Sequence, residues 1–124
     1  MGIAAFCLAL SSGTDEEPIL SKEKDMTVIN TTALAEDVEG YVSTTPVKIY
    51  IRNNKVTRVE ALENEETPKY FNLVEQKLLK TWNGMTVKKA ETAKVDAVTG
   101  ATISSEAIIE NVRRGIGYYN HVKH

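Results

Sequence analysis

The sequence predicts an α+β fold in which two amphipathic helices pack on one face of a small antiparallel sheet. Residues 47–52 (VKIYIR) alternate apolar and polar side chains, and the two asparagines at residues 53–54 suit a tight turn into a partner strand. Apolar residues recur at helical spacing over residues 71–82 and again over residues 108–116. A chain of 124 residues is expected to form one small core of this kind.

Composition divides the chain into four segments. Residues 1–12 are apolar but fall short of the roughly 20 residues that span a bilayer. They are predicted to be the remnant of a secretory signal, with a buried N-terminal element as the alternative. Residues 13–25 are polar and charged and are predicted to form a linker. The folded domain is expected over residues 26–120, followed by a tail at residues 121–124.

Charge and cysteine content argue against two kinds of site. The 15 basic and 17 acidic residues are spread evenly and give a formal charge of -2, so nucleic acid is not expected as a partner. The single cysteine, Cys7, rules out an internal disulfide and a cysteine-based metal site within one chain. His121 and His124 lie in the predicted tail, where a metal site is not expected.

The predicted hairpin has one buried face. Alternation places Val47, Ile49 and Ile51 on that face and Tyr50 on the other, and residues 55–62 form the partner strand.

Two further strand features are expected. The odd spacing between Val56 and Val59 breaks the alternation and predicts a β-bulge. Residues 40–45 (GYVSTT) are predicted to add a short strand before Pro46.

The first helix is predicted to follow the loop that ends at Pro68 and to stop at Asn83-Gly84. A strand is expected next, at residues 85–87 (MTV). The apolar stripe of this helix consists of Phe71, Val74, Leu78 and Trp82.

The second helix is expected to begin near Ser104. Glu106 lies near its start, and Arg113 and Arg114 lie near its expected end, an arrangement that suits the helix dipole. Its apolar stripe consists of Ile108, Ile109, Val112 and Ile116.

The bend before the second helix concentrates polar side chains. Residues 95–105 (VDAVTGATISS) hold four hydroxyls and one glycine. One hydroxyl would cap the helix, so the others are either incidental or bind an anion at the helix N-terminus. The bend lacks the glycine spacing and the lysine of a nucleotide-hydrolase phosphate loop, and it lacks the glycine-rich turn of a dinucleotide fold.

Residues 96–105 (DAVTGATISS) resemble the flavinylation motif of the FMN-binding domain family. The family is typified by the flavinylated subunits of the sodium-pumping NADH:quinone oxidoreductase and of the Rnf electron-transport complex. The motif is an acid, two variable residues, serine or threonine, then Gly-Ala-Thr, and every fixed position is present here. The resemblance extends over roughly residues 38–117, including Gly40-Tyr41 and Glu66-Thr67-Pro68. Relatives often place a glycine-rich turn where this chain has residues 69–71 (KYF).

The resemblance implies that Thr102 carries FMN through a phosphoester bond. In such proteins a magnesium-dependent flavin transferase makes this bond outside the cytoplasm, with FAD as the donor. The resemblance also implies redox partner proteins, which in some cases are membrane-bound.

The resemblance gives the neighbouring residues roles in the same site. Asp96 matches the acidic position, Gly100 supplies backbone freedom, and Ala101 and Ile103 flank the attachment point. Ordinary loop and capping roles are the alternatives. The hydroxyls expected to donate to the phosphate are those of Thr99, Ser104 and Ser105.

The flavin ring is expected to lie near the Glu-Thr-Pro triplet. Glu66 and Thr67 border the ring by analogy, with an ordinary surface turn as the alternative. Tyr70, Phe71 and Trp82 are assigned to the core.

The sequence therefore favours an electron carrier that holds covalent FMN and works outside the cytoplasm, in the periplasm or at the outer face of the cell membrane. A secreted binding or interaction module of the same fold without covalent flavin is the first alternative. A small flavin reductase is the second, and the chain offers no evident general acid or base beside the motif to support it.

Overall fold

The computed structural model describes residues 18–122, and it confirms the α+β fold. The four strands pair antiparallel in chain order, so the sheet is a simple meander. The predicted signal remnant and residues 13–17 of the predicted linker lie outside the described residues, as does His124. The elements are β1 (Leu20–Glu23), β2 (Met26–Asn30), β3 (Val47–Arg52), β4 (Lys55–Ala61), α1 (Pro68–Lys77), α2 (Val87–Thr92) and α3 (Thr102–Val122).

The predicted hairpin is confirmed as β3 and β4. Asn53 and Asn54 both adopt positive φ, 54° and 61°, which is the backbone that a two-residue hairpin turn requires. The predicted bulge is confirmed as well, because the register shifts after the Tyr50–Arg58 pair and leaves Thr57 without a partner across the ladder.

One face of the sheet carries the helices and the core. Val47, Ile49 and Ile51 lie on that face and are almost completely buried, as predicted. Tyr50 lies on the opposite face, where the Arg58 guanidinium stands 3.8 Å from its ring centroid. The core also contains both predicted helical stripes, in which Ile109 is only partly buried; their buried members are Phe71, Val74, Leu78, Trp82, Ile108, Val112 and Ile116.

Strand β1 corrects the predicted linker. Its four residues pair with β2, and Leu20 lies opposite Ile29. Polar composition suggested a linker, but an edge strand hydrogen-bonds through its backbone and tolerates polar side chains on its exposed positions. The sheet therefore starts before residue 26.

The first predicted helix is present, but it ends before the last residues of the apolar stripe that predicted it. Helix α1 ends at Lys77, and turns over residues 78–84 follow. These turns bury the adjacent side chains Leu78 and Leu79 together with Trp82. A continuing helix would separate Leu78 and Leu79 by 100° around its axis, so the turns allow both to reach the core.

The strand predicted at residues 85–87 is wrong. Only an isolated bridge joins Lys55 to Thr86, and α2 begins at Val87. The Thr86 hydroxyl accepts a hydrogen bond from the Lys89 N–H at 3.1 Å, which caps the helix.

Helix α3 starts two residues earlier than predicted and runs to Val122. Arg113 and Arg114 therefore lie in its middle, where both bind Glu110, rather than near a negative helix end. His121 belongs to the helix and not to a tail.

A buried polar network fixes α3 on the sheet. The Thr31 hydroxyl donates to Asn111 Oδ1 at 2.5 Å and accepts from the Val47 N–H at 2.9 Å. Asn111 donates to the Ala107 carbonyl at 2.9 Å, so these groups are satisfied. The middle of α3 is thereby held in a defined position relative to β3.

Candidate functional site

The bend at residues 98–101 is a closed turn that leads directly into α3. The Ala101 N–H donates to the Val98 carbonyl at 3.0 Å, and the Val98 N–H donates to the Ser105 hydroxyl oxygen at 3.0 Å. Gly100 has a φ of +91°, a region that side-chain-bearing residues rarely adopt. The glycine is therefore required by the turn itself.

Thr102 is the first residue of α3. The first helical hydrogen bond runs from the Ser105 N–H to the Ala101 carbonyl at 2.9 Å. The N–H groups of Thr102, Ile103 and Ser104 therefore precede the helical ladder and give this end of the helix a partial positive charge. The Thr102 side chain is exposed beside these N–H groups.

Glu66 joins the start of α3 to a second loop. Its carboxylate accepts the N–H groups of Tyr41, Val42 and Ser43 at 2.8, 2.6 and 2.7 Å. The same carboxylate accepts the Ser104 hydroxyl. Two donors reach each carboxylate oxygen, so the acceptor capacity of Glu66 is filled by the protein.

The environment of Glu66 favours the ionised carboxylate. Burial alone would raise its pKa, but the hydrogen bonds from Ser104 and from the three backbone N–H groups outweigh burial and hold the pKa of Glu66 below its usual value. A Cβ atom at Gly40 would lie 2.6 Å from Glu66 Oε1, so the loop approaches this closely because residue 40 lacks a side chain.

The same hydrogen bonds explain why residues 40–45 do not form the predicted strand. Three consecutive N–H groups point to one carboxylate and are lost to strand pairing. Among residues 18–122, the pairing that remains for this segment is an isolated bridge between Glu39 and Thr44.

A cavity of about 380 Å³ opens in front of Thr102. Its volume falls within the range of small-molecule sites. Its walls come from the Tyr41 loop, the segment at Glu66 and Thr67, the first turn of α1, the bend at Gly100 and the start of α3. The lining residues are Tyr41, Glu66, Thr67, Tyr70, Gly100, Ala101, Thr102, Ile103 and Ser104.

Seven of the ten predicted site residues line this cavity. Three do not: Asp96 and Thr99 are outside it, and Ser105 is fully buried behind it. The Ser105 hydroxyl oxygen closes the turn by accepting a hydrogen bond from the Val98 N–H. The Ser104 hydroxyl donates its hydrogen bond to Glu66. The Ser104 hydroxyl is therefore engaged by Glu66 and Ser105 is buried in the turn, and their contact with a phosphate stays a prediction.

Two aromatic residues of the cavity were missed. Tyr41 is 69% exposed, and Tyr70, which was assigned to the core, is 43% exposed. Tyr70 lies three residues after Thr67 at the start of α1, so both face the same side. That spacing was a usable signal, whereas no local pattern places Tyr41 beside α3. Phe71 and Trp82 are core residues, as predicted.

Residues 18–122 offer neither a metal centre nor a membrane span. Histidine, cysteine and acidic side chains form no cluster suited to a metal ion in that range. No helix in the same range is both long enough and apolar enough to cross a bilayer.

Comparison with known protein families identifies the fold unit that holds the cavity. The family model described as FMN-binding domain matches residues 40–117, which is more than half of the chain. The match includes Tyr41, the Glu66 loop and all of the cavity around Thr102. No curated protein and no solved structure matches at a significant level.

Proposed function

This chain belongs to the FMN-binding domain family, and from that premise we propose that it is an electron carrier outside the cytoplasm with FMN linked covalently to Thr102. The observation that carries the proposal is the exposed Thr102 hydroxyl at the N-terminus of a 21-residue helix, facing a cavity. Bound FMN supplies the redox chemistry, and the chain supplies its attachment and orientation.

The residues at the bend fit a phosphoester. A phosphate on the Thr102 oxygen lies at the positive end of α3, next to N–H groups that have no helical partner. The space beside Gly100 is open, because the nearest atom to a Cβ built there is Leu73 Cδ1 at 3.9 Å. A group bound at Thr102 can therefore approach from this side. The bend therefore suits a negative group without a basic side chain.

The attachment step has a simple balance when FAD is the donor. The Thr102 oxygen bonds to the phosphorus of the FMN half, the phosphoanhydride bond breaks, AMP leaves, and the hydroxyl proton is released. A magnesium-dependent flavin transferase is the proposed partner for this step. The exposed position of Thr102 supports access by such an enzyme.

An electron-carrier role is supported by the shape of the cavity. The cavity is small and open to solvent, so a tether removes the need for a deep enclosing pocket. An accessible ring exchanges electrons with partner redox proteins, which are the second class of proposed partner. Work outside the cytoplasm, in the periplasm or at the outer face of the cell membrane, is supported by the signal-like composition of residues 1–12.

Covalent attachment is tested by co-expressing the chain with a flavin transferase and measuring the intact mass. The wild type should gain one FMN and fluoresce on a denaturing gel. Thr102→Val should remain unmodified, and Thr92→Val, which removes an exposed hydroxyl outside the motif, should be modified normally. An unmodified wild type would reject the covalent link and favour the binding module without covalent flavin.

A further inference from the structure

Two exposed tyrosines flank the cavity in front of Thr102. Tyr41 belongs to the loop bound by Glu66, and Tyr70 belongs to the first turn of α1. Both line the same cavity as Thr102, although they come from different parts of the chain. Exposed aromatic side chains at a concave surface are typical of a binding site.

The backbone of each tyrosine is firmly held. The Tyr41 N–H donates to Glu66 Oε1 at 2.8 Å, and the Tyr70 N–H donates to the Thr67 carbonyl at 3.0 Å. Since Glu66 and Thr67 are adjacent, one short segment sets the positions of both aromatic residues. The side chains are exposed at the surface while their attachment points are fixed.

The cavity that these side chains line suits a small flat molecule better than a protein. A stable protein interface buries roughly 800 Å² on each partner, which is far more than a few side chains provide. A cavity of about 380 Å³ suits a ring system instead. Ile103, which is 51% exposed and follows the attachment residue, extends the apolar surface toward Thr102.

We propose that Tyr41 and Tyr70 hold the isoalloxazine ring of the flavin by aromatic contact, with Glu66 as the positioning residue for Tyr41. The proposal rests on the function proposed above, because it takes the ring to be tethered at Thr102. The tether fixes one end of the cofactor, and the two tyrosines restrict the other end.

The test uses the flavinylated full chain and the variants Tyr41→Ala, Tyr70→Ala and the double variant. Intact mass should show normal attachment in all of them, since Thr102 is unchanged. In the wild type, tyrosine contact should quench flavin fluorescence, and its anisotropy should decay with the tumbling of the whole protein. In the double variant, fluorescence should rise several-fold, and a fast component should appear in the anisotropy decay.

Two controls separate ring contact from general damage. Val42→Ala changes an exposed apolar residue of the same loop that does not line the cavity, and it should behave as wild type. Tyr41→Phe with Tyr70→Phe keeps both rings, and the slow anisotropy decay should persist. Unchanged fluorescence and anisotropy in the double alanine variant would overturn the proposal.

Failure of the covalent link is distinguishable from failure of this proposal. If the wild type gains no mass, the unmodified chain is titrated with riboflavin, which has the ring but no phosphate. Binding that weakens at least tenfold in the double alanine variant supports the ring contact. No binding to the wild type, or equal binding to both chains, overturns it.

Discussion

The Glu66 carboxylate accepts four hydrogen bonds from two segments that are otherwise separate in sequence. Glu66→Gln keeps the shape of the side chain, but the NH2 group of the amide then points two N–H donors at groups that are also donors. We expect the free energy of unfolding to fall by about 1–3 kcal/mol in urea denaturation, because buried polar groups lose their partners. Glu65→Gln, at an exposed neighbour, should change it by less than about 0.5 kcal/mol.

The pKa of Glu66 also predicts how stability depends on pH. Its pKa in the folded protein lies below its ordinary value of 4.5, so the ionised carboxylate stabilises the fold above that pH. The contribution is lost as the pH falls through the folded pKa. The stability difference between wild type and Glu66→Gln should therefore shrink during acid titration. Glu110, whose pKa is lowered to about 2, is present in both proteins and cancels from the difference.

A constant difference from pH 7 to pH 3 would contradict the lowered pKa of Glu66 in the folded protein. The measurement is a series of urea unfolding curves for both proteins at each pH.

Single residues of the site were predictable only where they lie in one contiguous motif. Thr102 and Gly100 follow from the order of residues 96–105. The role of Glu66 does not, because its partner Ser104 lies 38 positions away and Tyr41 lies 25 positions away. Such contacts depend on how the sheet and helices pack, which no local pattern encodes.

At the scale of elements, the close approach of α3 to the sheet depends on Gly115. A Cβ there would lie 2.5 Å from Ile49 Cδ1 and 2.8 Å from Thr31 Cγ2. Gly115→Ala should lower the free energy of unfolding, because overpacking of about 1–3 kcal/mol exceeds the roughly 1 kcal/mol gained in helix propensity. Thermal and urea unfolding measure the change.

Gly117→Ala is the matched control on the same helix. The nearest atom to its Cβ is Glu91 Oε2 at 3.2 Å, at the end of a flexible side chain that can shift. Helix propensity should then dominate and raise stability by up to about 1 kcal/mol. Equal effects of the two substitutions would show that the α3 contact with Ile49 is not tight.

Elements with a local signal were predicted well. The β3–β4 hairpin, its asparagine turn and its bulge follow from neighbouring residues. Strand β1 and the early end of α1 do not, since pairing with β2 and burial of Leu79 are tertiary effects. Helix α2 begins where the Thr86 cap outweighs the β-branched pattern that suggested a strand.

At the scale of the whole molecule, flavin attachment should stabilise the fold. The proposed ring contacts and the proposed interaction of the phosphate with the helix N-terminus form only in the folded state. A gain of about 1 kcal/mol would raise Tm by roughly 4–8 °C in a domain of this size. Differential scanning calorimetry of the modified and unmodified chains measures it, and a modified chain that melts at a lower temperature would contradict the arrangement.

Under the proposed function, helix α3 sets the end of the molecule at which electrons are exchanged. Its 21 residues extend about 31 Å at roughly 1.5 Å per residue, with Thr102 at one end and Val122 at the other. Electron-tunnelling rates fall exponentially with distance. A redox centre fused beyond Val122 by a short rigid connection would therefore exchange electrons very slowly with a flavin at Thr102. A redox centre would come within electron-transfer distance only if a flexible arm or diffusion brought it to the Thr102 end of the molecule.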